Sequence, residues 1–136
     1  MPFWKRKPKL PGPPKHGPDF SAVDSREKAM AMVEAGTLET LWLMPPEFGG
    51  VDDPRNILYV PKGIAEVKRR TDLNIIAPLI QSGDVQYYEA TPEYRGNSFV
   101  PMALDISATD PKKFRTQIAI WGEALDRKSN PSENGG

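Results

Sequence analysis

Prolines set the first limit on how this chain can fold: of 15 in 136 residues, six (Pro2, Pro8, Pro11, Pro13, Pro14 and Pro18) fall within the first 18 positions. Each removes a backbone donor and bars helix, so residues 1–18 are expected to form an extended, disordered arm outside the core. Lys5, Arg6, Lys7, Lys9 and Lys15 make that arm +5. The whole chain balances 18 basic against 18 acidic side chains, so the rest, with 13 basic and 18 acidic groups, is −5. Arm and body have opposite sign, and a neutral total conceals it.

The body reads as one α+β domain over residues 19–125, followed by a flexible polar tail, 126–136, with nothing to bury. Asp24 or Ser25 can cap a short helix, with Glu27 placed to complete a capping box from Asp24, and Gly36 ends it. Thr37 to Met44 reads as a buried strand stopped by Pro45-Pro46, and Ile57 to Val60 as a second strand ended by Pro61. Ile64, Val67 and Lys68 have helical spacing. Asp72 can cap a further stretch carrying Ile75, Ile76, Leu79 and Ile80, in which Pro78 predicts a kink or break near Ala77. Val85, Tyr87 and Glu89, then Val100, Met102, Leu104 and Ile106, then Phe114, Thr116, Ile118 and Ile120 alternate as three strands of an antiparallel meander. The expected architecture is a sheet of about five mainly antiparallel strands, covered by two helical regions.

Composition removes much chemistry. The chain has no cysteine, which excludes disulfides, thiolate nucleophiles and thiolate metal sites and suits a reducing cytoplasm. Its single histidine, His16, lies in the arm, away from any triad or histidine metal site in the body. No glycine-rich phosphate loop occurs, and Gly49-Gly50 stands among acids. No cofactor and no metal is expected. Paired carboxylates, drawn from Glu47, Asp52, Asp53, Glu89 and Glu93, leave a carboxylate-dependent hydrolase as a chemical alternative. The arm offers another: Phe3, Trp4, Lys5, Arg6 and Lys7 suit weak contact with an anionic membrane surface, as in a peripheral accessory protein. The acidic body opposes nucleic acid as a partner.

Two loops attract a binding reading. Pro45 to Asn56 is long for a hairpin and dense in turn formers and acids, and Tyr94-Arg95-Gly96-Asn97 reads as a hairpin tip. Aromatics and arginine bordered by acids are typical of protein-binding hot spots. Glu47, Phe48, Asp52, Asp53, Tyr94 and Arg95 are therefore the candidate partner-binding residues, with Phe48 and Tyr94 as anchors.

Leu43-Met44-Pro45-Pro46-Glu47-Phe48-Gly49-Gly50, Asn56-Ile57-Leu58-Tyr59-Val60-Pro61, Thr91 to Phe99 and Ile118-Ala119-Ile120-Trp121-Gly122 resemble a family of small uncharacterised bacterial proteins. Proteins of this style resemble the immunity partners of bacterial polymorphic or contact-dependent toxins. The similarity covers residues 37–125 and attaches no defined site to these motifs. It implies a cytoplasmic protein that binds and blocks a toxin without chemistry of its own. A body at −5 suits a basic toxin domain.

Overall fold

The computed structural model describes residues 17–127. The arm residues Phe3, Trp4, Lys5, Arg6, Lys7 and His16, and the tail beyond Arg127, lie outside the described residues.

The first helix, α1 (Arg26–Glu34), starts at Ser25, whose side chain accepts from the Lys28 amide. Asp24 is not the cap; its carboxylate pairs with Lys28 Nζ at 2.8 Å, so the expected Asp24–Glu27 box does not form. The helix closes as expected at Gly36. There the Gly36 amide donates to Val33 O and the Thr37 amide to Met32 O, with Gly36 at φ 86°.

Strands β1 (Leu38–Trp42) and β2 (Ile57–Pro61) pair antiparallel, Leu38 opposite Pro61 and Trp42 opposite Ile57. The long loop between them is held by Asn56. Its side-chain oxygen accepts from the Met44 amide at 2.8 Å, and its Nδ2 donates to Met44 O at 3.0 Å and to Val51 O at 3.1 Å. Two short 3-10 turns, Pro46–Phe48 and Pro54–Asn56, use prolines where a free amide would have no partner. Gly50 has no alternative here, because a methyl group at its Cα would run into the Met44 carbonyl.

The second helical region is continuous: α2 (Ile64–Arg70), a π-helical stretch (Thr71–Ile76) and α3 (Ala77–Gln81). Glu39 of β1 accepts from the Gly63 and Ala65 amides at its start. Asp72 is not a cap but a buried mid-helix residue, and the expected break near Ala77 becomes a change of helix type. A proline ring clashes with the carbonyl four residues earlier, and a widened turn before Pro78 relieves that clash without ending the helix.

Strands β3 (Tyr87–Glu93), β4 (Ala103–Thr109) and β5 (Lys113–Ala119) form the expected antiparallel meander. In β5 the expected apolar face holds. In β3 the faces are reversed: Tyr88 and Ala90 point inward, whereas Tyr87 is largely exposed. Val100 and Met102, expected in β4, belong to the connection before it. Met102 still bonds to the meander, its amide donating to Glu93 O and its carbonyl accepting from the Ile120 amide. Residues 98 and 99 tie to the segment before α1: the Phe99 amide donates to Val23 O, and Ser98 Oγ to Phe20 O.

The five strands thus form two sheets, of two and three strands, and not one. Apolar alternation reports which face a strand buries, and it carries no information about which edge pairs with which. One core joins the sheets, with Leu41 and Val60 from the hairpin, Ile76 from the helix and Leu104, Ile106 and Ile118 from the meander. Trp121, edge-on to Phe20 at 5.9 Å and bonded to Val100 O through Nε1, closes one end. Arg127, two residues past the expected end of the domain, forks onto Glu93 at 2.7 and 2.8 Å.

Replacing Asn56 by alanine leaves the Met44 amide without its acceptor; Asn56→Ala should lower the unfolding free energy by about 2 kcal/mol in a urea titration.

Candidate functional site

Helical spacing carries Ile64, Lys68, Asp72 and Ile76 along one stripe. In an α-helix each four-residue step rotates such a stripe by about 40°, and the π-helical turns reduce that drift. Two charges are consequently carried into the core: Lys68 and Asp72 are each 2% exposed. They pair, Lys68 Nζ to Asp72 Oδ2 at 2.6 Å. The other carboxylate oxygen accepts from the Tyr88 hydroxyl at 2.7 Å. The Tyr88 ring lies 5.4 Å from Lys68 Nζ and meets Phe48 edge-on at 5.0 Å.

Burial pushes the Lys68 ammonium below its ordinary value, against the opposing hydrogen bond and charge of Asp72 and the charge of Glu47. Burial, reinforced by Asp72, pushes the Tyr88 phenol well above its ordinary value. Beside this cluster is a cavity of about 190 Å³, walled by Trp42, Pro45, Pro46 and Leu73 and reached by two cations, Lys68 and Arg69, and two acids, Glu47 and Asp72.

A second concavity, of about 330 Å³, lies where the far end of the long loop meets the 94–99 connection. Pro54, Arg55, Tyr94 and Phe99 line it, together with Arg26 from α1 and Tyr59 from β2. Arg26 Nε donates to the Tyr59 hydroxyl at 3.2 Å. Tyr94 and Phe99 remain 43% and 41% exposed, large for aromatic groups on a folded surface. Partial desolvation raises the Tyr94 phenol.

The six candidate binding residues do not converge. Tyr94 is exposed in the second groove, and Asp53 adjoins it through its bonds to Arg55. Asp52 is exposed on the same loop. Glu47 instead lines the first cavity and faces Arg69 at 3.6 Å. Phe48 is half-buried against Tyr88 and the core. Arg95 lies over the Trp121 ring and pairs with Glu123 at 3.2 Å. Residues 45–56 are one loop, but Asn56 folds it so that its two ends serve different cavities.

Reading residue by residue missed Lys68, Asp72 and Tyr88. A signal existed in the four-residue spacing Ile64, Lys68, Asp72, Ile76, which sets opposite charges between two apolar residues on one helix face. Arg55 holds Asp53, and Arg127 holds Glu93, below the usual carboxylate range, opposite to what a general acid needs. Ser25-Arg26-Glu27-Lys28 has the spacing of a serine–lysine nucleophile, but Ser25 is the α1 cap and Lys28 pairs with Asp24. Among the described residues, no group of three or more His, Asp and Glu side chains could hold a metal ion, and no helix is long and apolar enough to cross a membrane.

Asp72→Asn should cost about 3 kcal/mol of stability, and the double variant Lys68→Met, Asp72→Leu should recover most of it, because removing one charge strands its partner while removing both does not. The pair also sets an alkaline signature. The lowered Lys68 value makes stability rise with pH until the unfolded lysine deprotonates near 10.5. The raised Tyr88 value acts oppositely, since the folded chain keeps a proton that the unfolded chain loses above 10.0. Beyond 10.5 only the phenol effect remains, and Tyr88→Phe should flatten the loss of stability by about 1.4 kcal/mol per pH unit, measured by denaturant titration at successive pH values. Comparison of the chain with protein families, curated proteins and solved structures gave no match, so its function is read from its own residues.

Proposed function

We propose that the protein is a non-enzymatic protein-binding module that takes a partner segment in the groove between Pro54-Arg55 and Tyr94-Phe99. The observation that carries this reading is the half-exposure of Tyr94 and Phe99 in one concavity beside two arginines. Rigid aromatics with arginine, walled by proline, supply apolar anchoring and directed donors at little entropic cost. In its finer form the partner is a bacterial toxin, bound and inhibited in the cytoplasm by an immunity protein. Charge supports that form at two ranges. The body, at −5, attracts a basic toxin domain from a distance and speeds encounter. Arg26 and Arg55 act at contact range, donating to partner carbonyls or carboxylates. Asp53, bonded to Arg55, and its exposed neighbour Asp52 pair with cations of the partner, while Tyr94 takes the anchoring role.

Affinity capture from lysate of the source organism tests this with the wild type beside Tyr94→Ala. A stoichiometric protein retained by the wild type should bind the variant about tenfold more weakly, with the melting temperature nearly unchanged. Equal retention by both proteins overturns the groove as the binding surface.

A further inference from the structure

The cavity beside Lys68 is separate from the groove and has a chemistry of its own. Asp72 is engaged from both sides, Oδ2 by Lys68 at 2.6 Å and Oδ1 by Tyr88 at 2.7 Å. A lysine ammonium carries three donors and Asp72 takes one. Among the described residues no second acceptor lies within hydrogen-bond distance of Lys68 Nζ; Tyr88 offers it only a ring face. A buried donor with open capacity therefore lines an apolar-walled space of about 190 Å³.

The mouth of that space already shows what it favours. Glu47 brings a carboxylate to the two cations, electrostatically to Lys68 and at 3.6 Å to Arg69. That distance is too long for a hydrogen bond, and both side chains are substantially exposed, so Glu47 is a weakly held occupant. A free carboxylate entering from solvent can form the short forked bonds to Arg69 that Glu47 does not. Its hydrocarbon body would displace water from Trp42 and Leu73.

We propose that this cavity binds a small organic acid, its carboxylate between Lys68 and Arg69 and its short apolar body against Trp42 and Leu73. The carboxylate belongs to a free metabolite or to the end of a protein chain, and the two sources are separable by probe. Isovalerate represents the free acid, N-acetylleucine the chain end, and isovaleramide the same shape without the charge.

Titration followed by amide and indole resonances of the ¹⁵N-labelled protein tests the proposal. Isovalerate or N-acetylleucine should give saturable shifts at Trp42, Ala65 and Lys68, and whichever binds tighter identifies the source; isovaleramide should give none. Two exposed substitutions should act in opposite directions. Arg69→Gln should weaken binding about tenfold by removing the fork, and Glu47→Gln should tighten it by removing the competitor. Neither side chain bonds to the buried pair, so both variants remain folded. Absence of saturation by about 10 mM of either acid, equal shifts with the amide, or indifference to both substitutions overturns the site.

Discussion

Lys68, Asp72 and Tyr88 form the junction on which the rest of the fold depends. The two sheets share no strand pairing. The helix carries the ion pair, and the meander reaches it through Tyr88, whose hydroxyl donates to Asp72 and lies 3.4 Å from the Leu43 carbonyl beyond β1. Hydrophobic burial supplies most of the stabilisation and is non-directional, so by itself it tolerates many relative placements of hairpin and meander. A buried polar cluster does not. Each of its groups loses several kcal/mol of hydration and regains it only in one geometry. Such a pair adds little net stability over an apolar equivalent, and its effect here is to fix where β3 sits against helix and hairpin.

The same junction explains how a loop rich in glycine and acids keeps a shape. Phe48 packs its edge on Tyr88, and Asn56 ties Met44 and Val51 together from inside the turn. Loops of this length are ordinarily costly to order on binding. Here the order is present before any partner arrives. Pro46 and Pro54, and the close approach of Gly50 to Met44, restrict the backbone further.

Much of this was legible in the chain. Gly36 and the alternation in β5 gave helix end and meander directly, because each is a local constraint, whereas Pro45 and Pro61 marked the strand ends only to within a few residues. The faces of β3 were not legible: Tyr87 and Tyr88 are chemically identical neighbours, and only the Asp72 carboxylate on one side selects Tyr88. Lys68 and Asp72 were hidden by the usual expectation that charges are solvated, and by Pro78, which argues for a helix break where the chain widens instead. Phe48 and Tyr94 looked equivalent, each an aromatic in a polar loop. What separates them is a long-range partner: Tyr88 covers Phe48, whereas among the described residues Tyr94 keeps 43% of its surface exposed.

Placing Glu47 and Arg55 at opposite ends of one pinned loop has a further physical consequence. A ligand in the Lys68 cavity that displaces Glu47 removes a contact from the Pro46–Phe48 turn, and that turn is continuous, through the Asn56 bonds, with the Pro54–Arg55 side of the groove. Coupling between two sites requires that one ligand change the free energy of an arrangement the other ligand uses. A rigid loop transmits no such change if it has a single arrangement. Loss of one 3.6 Å ion pair between exposed groups is worth about 0–1 kcal/mol, less than the roughly 1–3 kcal/mol of hydrogen bonding that Asn56 supplies from within. The pin therefore outweighs the perturbation, and the proposed cavity and groove sites are expected to act independently although fourteen residues of hairpin connection, Leu43 to Asn56, serve both.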